Sequence, residues 1–120
     1  MKTLRVRSKV WLETGGAPLL GEGRELLLCH IRREGSISAA ARRMGLSYRK
    51  AWSYLDQMEQ HLGTPLVHRR KGGARGGTAT LTDTAVRLID RYERLQTEVR
   101  EFADRRFAEH FASIADPGAD

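Results

Sequence analysis

The most constraining stretch of this 120-residue chain is a pair of short amphipathic segments separated by only three residues, Gly45-Leu46-Ser47. Ser36 stands where a side-chain oxygen caps a helix start, and Ile37, Ala40, Ala41 and Met44 then share one helical face. Ser47 is placed to cap a second helix reaching Leu62. In that helix Ala51, Leu55, Met58 and Leu62 recur with 4-3-4 spacing, Trp52 flanks the stripe, and Gly63 follows as a stop. Two helices that cross tightly need a small side chain where the backbones approach and a glycine where the chain reverses. Ala41 and Gly45 meet those needs at the spacing of a helix-turn-helix, although an ordinary helical hairpin uses the same residue types.

The flanking sequence reads as mainly α with a minor β share. Residues 4–12 alternate, with Leu4, Val6, Val10 and Leu12 on one face and Arg5, Arg7, Lys9 and Trp11 on the other, the period of a half-buried strand. Thr14-Gly15-Gly16-Ala17-Pro18 reads as a turn and Leu19-Leu20 as a short return strand. A helix over Arg24–Glu34 buries Leu27, Leu28 and Ile31 and stops at Gly35. Leu66–Arg70 and Thr78–Leu81 read as two strands of a hairpin whose connection, KGGARGG, is too glycine-rich to pack and suits a protruding tip, a wing.

Thr82 is placed to cap the longest helix. Its apolar residues Ala85, Leu88, Tyr92, Leu95, Val99 and Phe102 are spaced 3-4-3-4-3, and the stripe drifts on to Phe107 and Phe111. A run of roughly 25 residues spans about 37 Å at helical rise, longer than the side of so small a body. Its outer half therefore asks for a second surface, most economically a two-fold partner, with Leu88, Tyr92, Leu95, Val99, Phe102 and Phe107 as the dimerisation seam. These readings divide the chain into a helix-turn-helix body with its wing at residues 1–81, a pairing helix at 82–114 and a disordered tail at 115–120.

Charge narrows the function. The net charge is +6, but residues 24–77 hold eleven basic against four acidic side chains, whereas residues 78–120 hold six against nine. A basic middle attracts a polyanion, and the acidic end keeps the last helix away from it. On the helix after Ser47, the face opposite the apolar stripe offers Arg49, Lys50, Ser53, Tyr54 and Gln57, side chains suited to base edges and phosphates. Arg49 and Lys50 lie in the first turn, which enters a major groove most deeply. Ser47 either contacts DNA or only caps, and Tyr48 leans toward the core side. On the hairpin, Arg70, Lys71 and Arg75 are placed for the DNA backbone, and Arg69 either joins them or anchors the wing to the body. Trp52 reads as core.

Other chemistries find little support. The glycine loop lacks the lysine–hydroxyl ending of a phosphate loop and precedes a strand. The four histidines and the one cysteine, Cys29, do not repeat on one face, so neither a metal nor another cofactor is called for, and no paired carboxylates or activated serine suggest an enzyme. A lone cysteine fits a reducing, cytoplasmic setting, and neither a signal peptide nor a membrane span is apparent.

The run from Gly35 to Ile89 carries SISAAA, SYRKAW, PLV-x-R and GGxxGGxxxLT, and as a set it resembles the N-terminal DNA-binding domain of molybdate-responsive ModE-type regulators and, more distantly, the winged helices of LysR-type regulators. The resemblance implies a winged helix-turn-helix with an N-terminal hairpin, a two-stranded wing and a long C-terminal dimerisation helix. It implies a homodimer binding partly palindromic double-stranded operators, with Ser47, Tyr48, Arg49 and Lys50 at the start of the recognition helix and Gly72, Gly73, Gly76 and Gly77 at the wing tip. Full-length members carry oxyanion-binding domains after this region, and with the sequence ending at Asp120 we expect the DNA-binding half without them. The alternatives are a protein-binding winged-helix adaptor, or a regulator that senses molybdate or tungstate at its dimer interface or through a separate molybdate-binding protein.

Overall fold

The computed structural model describes residues 3–72 and 77–115. Along the chain run β1 (Leu12–Thr14), β2 (Ala17–Leu20), α1 (Glu22–Glu34), α2 (Ile37–Arg43), α3 (Tyr48–Leu62), β3 (Val67–Arg70), β4 (Thr78–Leu81) and α4 (Asp83–Ala115). They fall into two units, Trp11–Arg91 and a second built from Met1–Val10 with Tyr92–Asp120, so α4 contributes to both. This is the winged helix that the sequence implies: four helices and two antiparallel hairpins.

In the first unit each helix begins and ends where local chemistry dictates. The Ser36 and Ser47 hydroxyls accept from the amides of Ala39 (3.0 Å) and Lys50 (3.1 Å), satisfying donors that the first turn leaves unpaired. Thr82 does the same for Ala85 (3.2 Å) while donating its own hydroxyl to the Pro65 carbonyl (3.0 Å), so one side chain starts α4 and ties it to the wing's root. Gly35 and Gly63 close α1 and α3 at φ +74° and +72°, a backbone region costly for side chains with a Cβ.

The core of this unit joins Leu19 and Leu20 of the first hairpin to Leu27, Leu28 and Ile31 of α1, Ala40 and Ala41 of α2, and Ala51, Leu55 and Met58 of α3. Leu66, Val67 and Ala79 of the wing and Ala85 and Ile89 of α4 are buried with them. Each large side chain contributes about 1.5–3 kcal/mol by leaving water. Ala79 also donates its backbone N–H to the Gly35 carbonyl (2.8 Å), stitching β4 to the end of α1.

Two expectations change. Residues 3–11 form no strand, and the first hairpin pairs only Leu12–Thr14 with Ala17–Leu20 around Gly15 and Gly16, with an irregularity between Leu12 and Glu13. Alternation supplies the faces of a strand but not the ladder partner that a strand requires. In α4 the buried set is Ala85, Ile89 and Tyr92, while Leu88 is half-buried. In the second unit, Tyr92 donates its hydroxyl to the Val10 carbonyl (2.7 Å) and accepts from the Gln96 amide (3.1 Å). The expected tail lies, apart from Ala115, outside the described residues, and no described helix is long and apolar enough to cross a membrane.

Candidate nucleic-acid interface

The turn between α2 and α3 is built as its residues demand. Ala40 and Ala41 are buried, the Leu46 amide donates to the Ala41 carbonyl (2.9 Å), and Gly45 takes φ +66° where the chain reverses. The turn therefore aims the polar face of α3 outward. Ser47, Tyr48, Arg49 and Lys50 at its start are all exposed, and Ser53, Tyr54 and Gln57 continue the face.

The wing approaches the same place. β3 and β4 pair in register from Val67 with Leu81 to Arg70 with Thr78. Arg69, Arg70 and Lys71, with Gly72, Gly77 and Thr78, line one groove together with Tyr48 of α3 and Ile37 and Ser38 of α2. Arg70 and Lys71 are exposed. The start of α3 and the basic strand of the wing thus share a single concave surface, and Ser38 on the polar side of α2 belongs to it. Arg75, Gly73 and Gly76 lie outside the described residues.

The side chains whose roles were open now separate. Arg69 pairs with Glu59 (3.1 Å) and lies 5.9 Å from the centre of the Trp52 ring, so it anchors the wing. Glu59 completes that anchor by accepting from the amides of Leu66 (2.7 Å) and Val67 (3.3 Å). Tyr48 is 54% exposed rather than turned to the core. Trp52 is 42% exposed, which corrects its reading as core: it sits a full 100° from Ala51 on the helix, and the Arg69 guanidinium lies over its ring. Arg24, which no local pattern singled out, reaches across from α1 to bond Gln57 (2.8 Å) and lies over the Tyr54 ring.

A helix-turn-helix whose second helix presents Arg, Lys, Tyr and amide side chains beside a basic hairpin defines the winged-helix DNA-binding regulators, a class of transcription factors and not of enzymes. The chain belongs to the bacterial regulatory helix-turn-helix proteins of the LysR family, whose profile matches residues 26–86. It is 38% identical over 105 residues to the molybdenum transport protein ModE of Azotobacter vinelandii, covering 88% of this chain and 39% of that protein. It is 45% identical over 69 residues to the DNA-binding transcriptional dual regulator ModE of Escherichia coli K12, covering 58% of this chain and 26% of the relative. The chain thus spans about two-fifths or less of the length of these curated relatives. Its fold matches that of the CbnR DBD–DNA complex with a TM-score of 0.55 at 20% identity, over 75% of this chain and 98% of the other.

Proposed function

We propose that this chain reads double-stranded DNA at a partly palindromic operator, as a homodimer acting in the cytoplasm. Residues 1–81 hold the DNA and residues 82–114 pair the two copies. The observation that carries the reading is the shared groove, in which Tyr48 at the start of α3 faces Arg69, Arg70 and Lys71 of the wing. Ser47, Tyr48, Arg49 and Lys50 enter the major groove, with Ser53, Tyr54 and Gln57 following. Arg70, Lys71 and Arg75 neutralise phosphates, and Arg69 holds the strand that carries them. The net +7 of residues 24–77 supplies the counterion-release drive.

Selection of genomic fragments by the purified chain tests this directly. An enriched motif with two half-sites about one helical turn apart, or a multiple of it, is the expected result. Arg49→Ala weakens the selected sequence by about 1–3 kcal/mol and leaves random duplex nearly untouched, whereas Lys71→Ala weakens both alike and lowers the salt slope by about 1. Retention of no fragment, or retention insensitive to salt, removes the reading in favour of a protein-binding adaptor. Because the relatives' names link them to molybdenum, a thermal shift with molybdate or tungstate tests whether this portion senses the oxyanion itself.

A further inference from the structure

Arg24 is held on three sides. One terminal nitrogen, Nη1, donates to the carbonyls of Pro18 (3.1 Å) and Leu19 (3.2 Å) in β2. The other, Nη2, donates to Gln57 Oε1 (2.8 Å), and the guanidinium lies 5.4 Å from the centre of the Tyr54 ring. Gln57 in turn donates from Nε2 to the Ser53 hydroxyl (3.2 Å). Ser53, Tyr54 and Gln57 form the second and third turns of the outward face of α3, so a residue of α1 reaches into the face proposed to read bases.

A guanidinium is a donor only, whereas a hydroxyl both donates and accepts. Turned through 180°, the Gln57 amide would set its NH2 against the donors of Arg24, while Ser53 would accommodate either orientation. Arg24 alone therefore decides which end of the amide faces which way. That choice has consequences on DNA, because a glutamine reads adenine by accepting at oxygen and donating at nitrogen together, and a donor by itself suits the acceptors of guanine or thymine. With its oxygen committed to a cation, Gln57 presents chiefly its amide hydrogen.

We propose that Arg24 is a positioning residue for sequence discrimination: it contacts no base, but it fixes the polarity of the Gln57 amide and with it the base preference at one position of the site. The inference rests on the reading of α3 as the base-reading helix. Because three fixed partners hold Arg24 before DNA arrives, the orientation is set in advance at little entropic cost on binding.

Selection from a randomised duplex library tests it, using the full chain, Arg24→Ala, Gln57→Ala, their combination, and Gln57→Glu. Gln57→Ala is expected to flatten discrimination at one or two base pairs by about tenfold. Arg24→Ala flattens the same pairs, leaves the others intact, and adds nothing when combined with Gln57→Ala. Gln57→Glu, an exposed helix position that keeps its bond to Arg24 but offers acceptors only, moves the preference there toward cytosine. Should Arg24→Ala not fold, Arg24→Gln takes its place: its amide can turn either end to Gln57, so it is expected to flatten the same pairs, and an unchanged preference there overturns the inference. Flattening at all positions alike by Arg24→Ala, or an unchanged preference in Gln57→Glu, overturns the inference. A parent chain that enriches no motif overturns the DNA reading beneath it, which is a different and recognisable failure.

Discussion

Glu59 holds the wing to α3 through one carboxylate. It accepts from two adjacent backbone amides, Leu66 and Val67, and from Arg69, three donors converging on two oxygens. Bonds to an ionised acceptor are roughly twice as strong as neutral ones. Glu59→Gln keeps the size but turns an NH2 toward donors, and it is expected to cost about 1–3 kcal/mol in urea unfolding, with the slope on denaturant unchanged. It also frees Arg69 from its anchor. At this scale the sequence is readable where partners are close in the chain: Ser36, Ser47 and Thr82 cap as their positions predict, because a cap bonds an amide three residues on. Glu59 and Arg69 stand ten residues apart across a turn, and Arg24 and Gln57 thirty-three apart, so no spacing rule links them. Trp52 escapes its pattern for a related reason, since a residue on the margin of an apolar stripe is core or surface according to what packs over it.

The wing shows what an element adds to its residues. The glycines of KGGARGG predict a loop by their freedom, yet Gly77 is required for a second reason: a Cβ there would lie 2.9 Å from the Arg70 carbonyl oxygen, a backbone atom that cannot swing aside. Gly77→Ala must open the hairpin beside Arg70 and Lys71, at a cost of about 1–3 kcal/mol typical of overpacking. It is expected to weaken binding to all duplexes alike and to flatten the salt dependence, as titrations at several salt concentrations would record. Gly23 is the contrast. It lies in the first turn of α1 with nothing within 4 Å of its missing Cβ, so Gly23→Ala raises stability by about 0.5–1 kcal/mol in the same unfolding measurement. Helix and hairpin boundaries were legible because caps, glycines and periodicity are local. The strand expected over residues 4–12 failed because pairing is a property of two segments, and only Leu12–Thr14 finds a partner, in β2.

For the whole molecule the decisive element is α4, whose exposed apolar side chains are its least ordinary feature. Leu95, Phe102, Phe111 and Ile114 face solvent, and Phe107 stacks on Phe111 with ring centres 5.2 Å apart. Scattered apolar residues on a surface mean little, but at 100° per residue Leu95, Val99 and Phe102 fall within about 60° of one another, a continuous face that a second copy would cover, while Phe107, Phe111 and Ile114 lie further round the helix. The sequence exposed these apolar positions without dividing them correctly, because Leu88 at i+3 and Ile89 at i+4 flank Ala85 about 60° and 40° to either side, and what packs over the helix chooses between them. Ile89 rather than Leu88 is therefore the residue fully buried in the first unit. The proposed pairing surface centres on Leu95, Val99 and Phe102, with half-buried Leu88 at its inner end and Phe107 beyond them; Tyr92, expected in the seam, is 1% exposed and bonded to the Val10 carbonyl, so its ring is packed within its own chain and offers no surface to a partner. Joint replacement Leu95→Asp and Phe102→Asp changes two exposed positions, so helical content by circular dichroism stays at the parent level while sedimentation equilibrium moves from dimer to monomer. Affinity for a two-half-site duplex then falls by about 10²–10⁴, the loss expected when two linked contacts become one, and affinity for a single half-site stays as it was. A double variant that remains dimeric would place the two-fold contact on another face. One that is monomeric yet binds the full site as tightly as the parent would mean that each copy reads DNA alone.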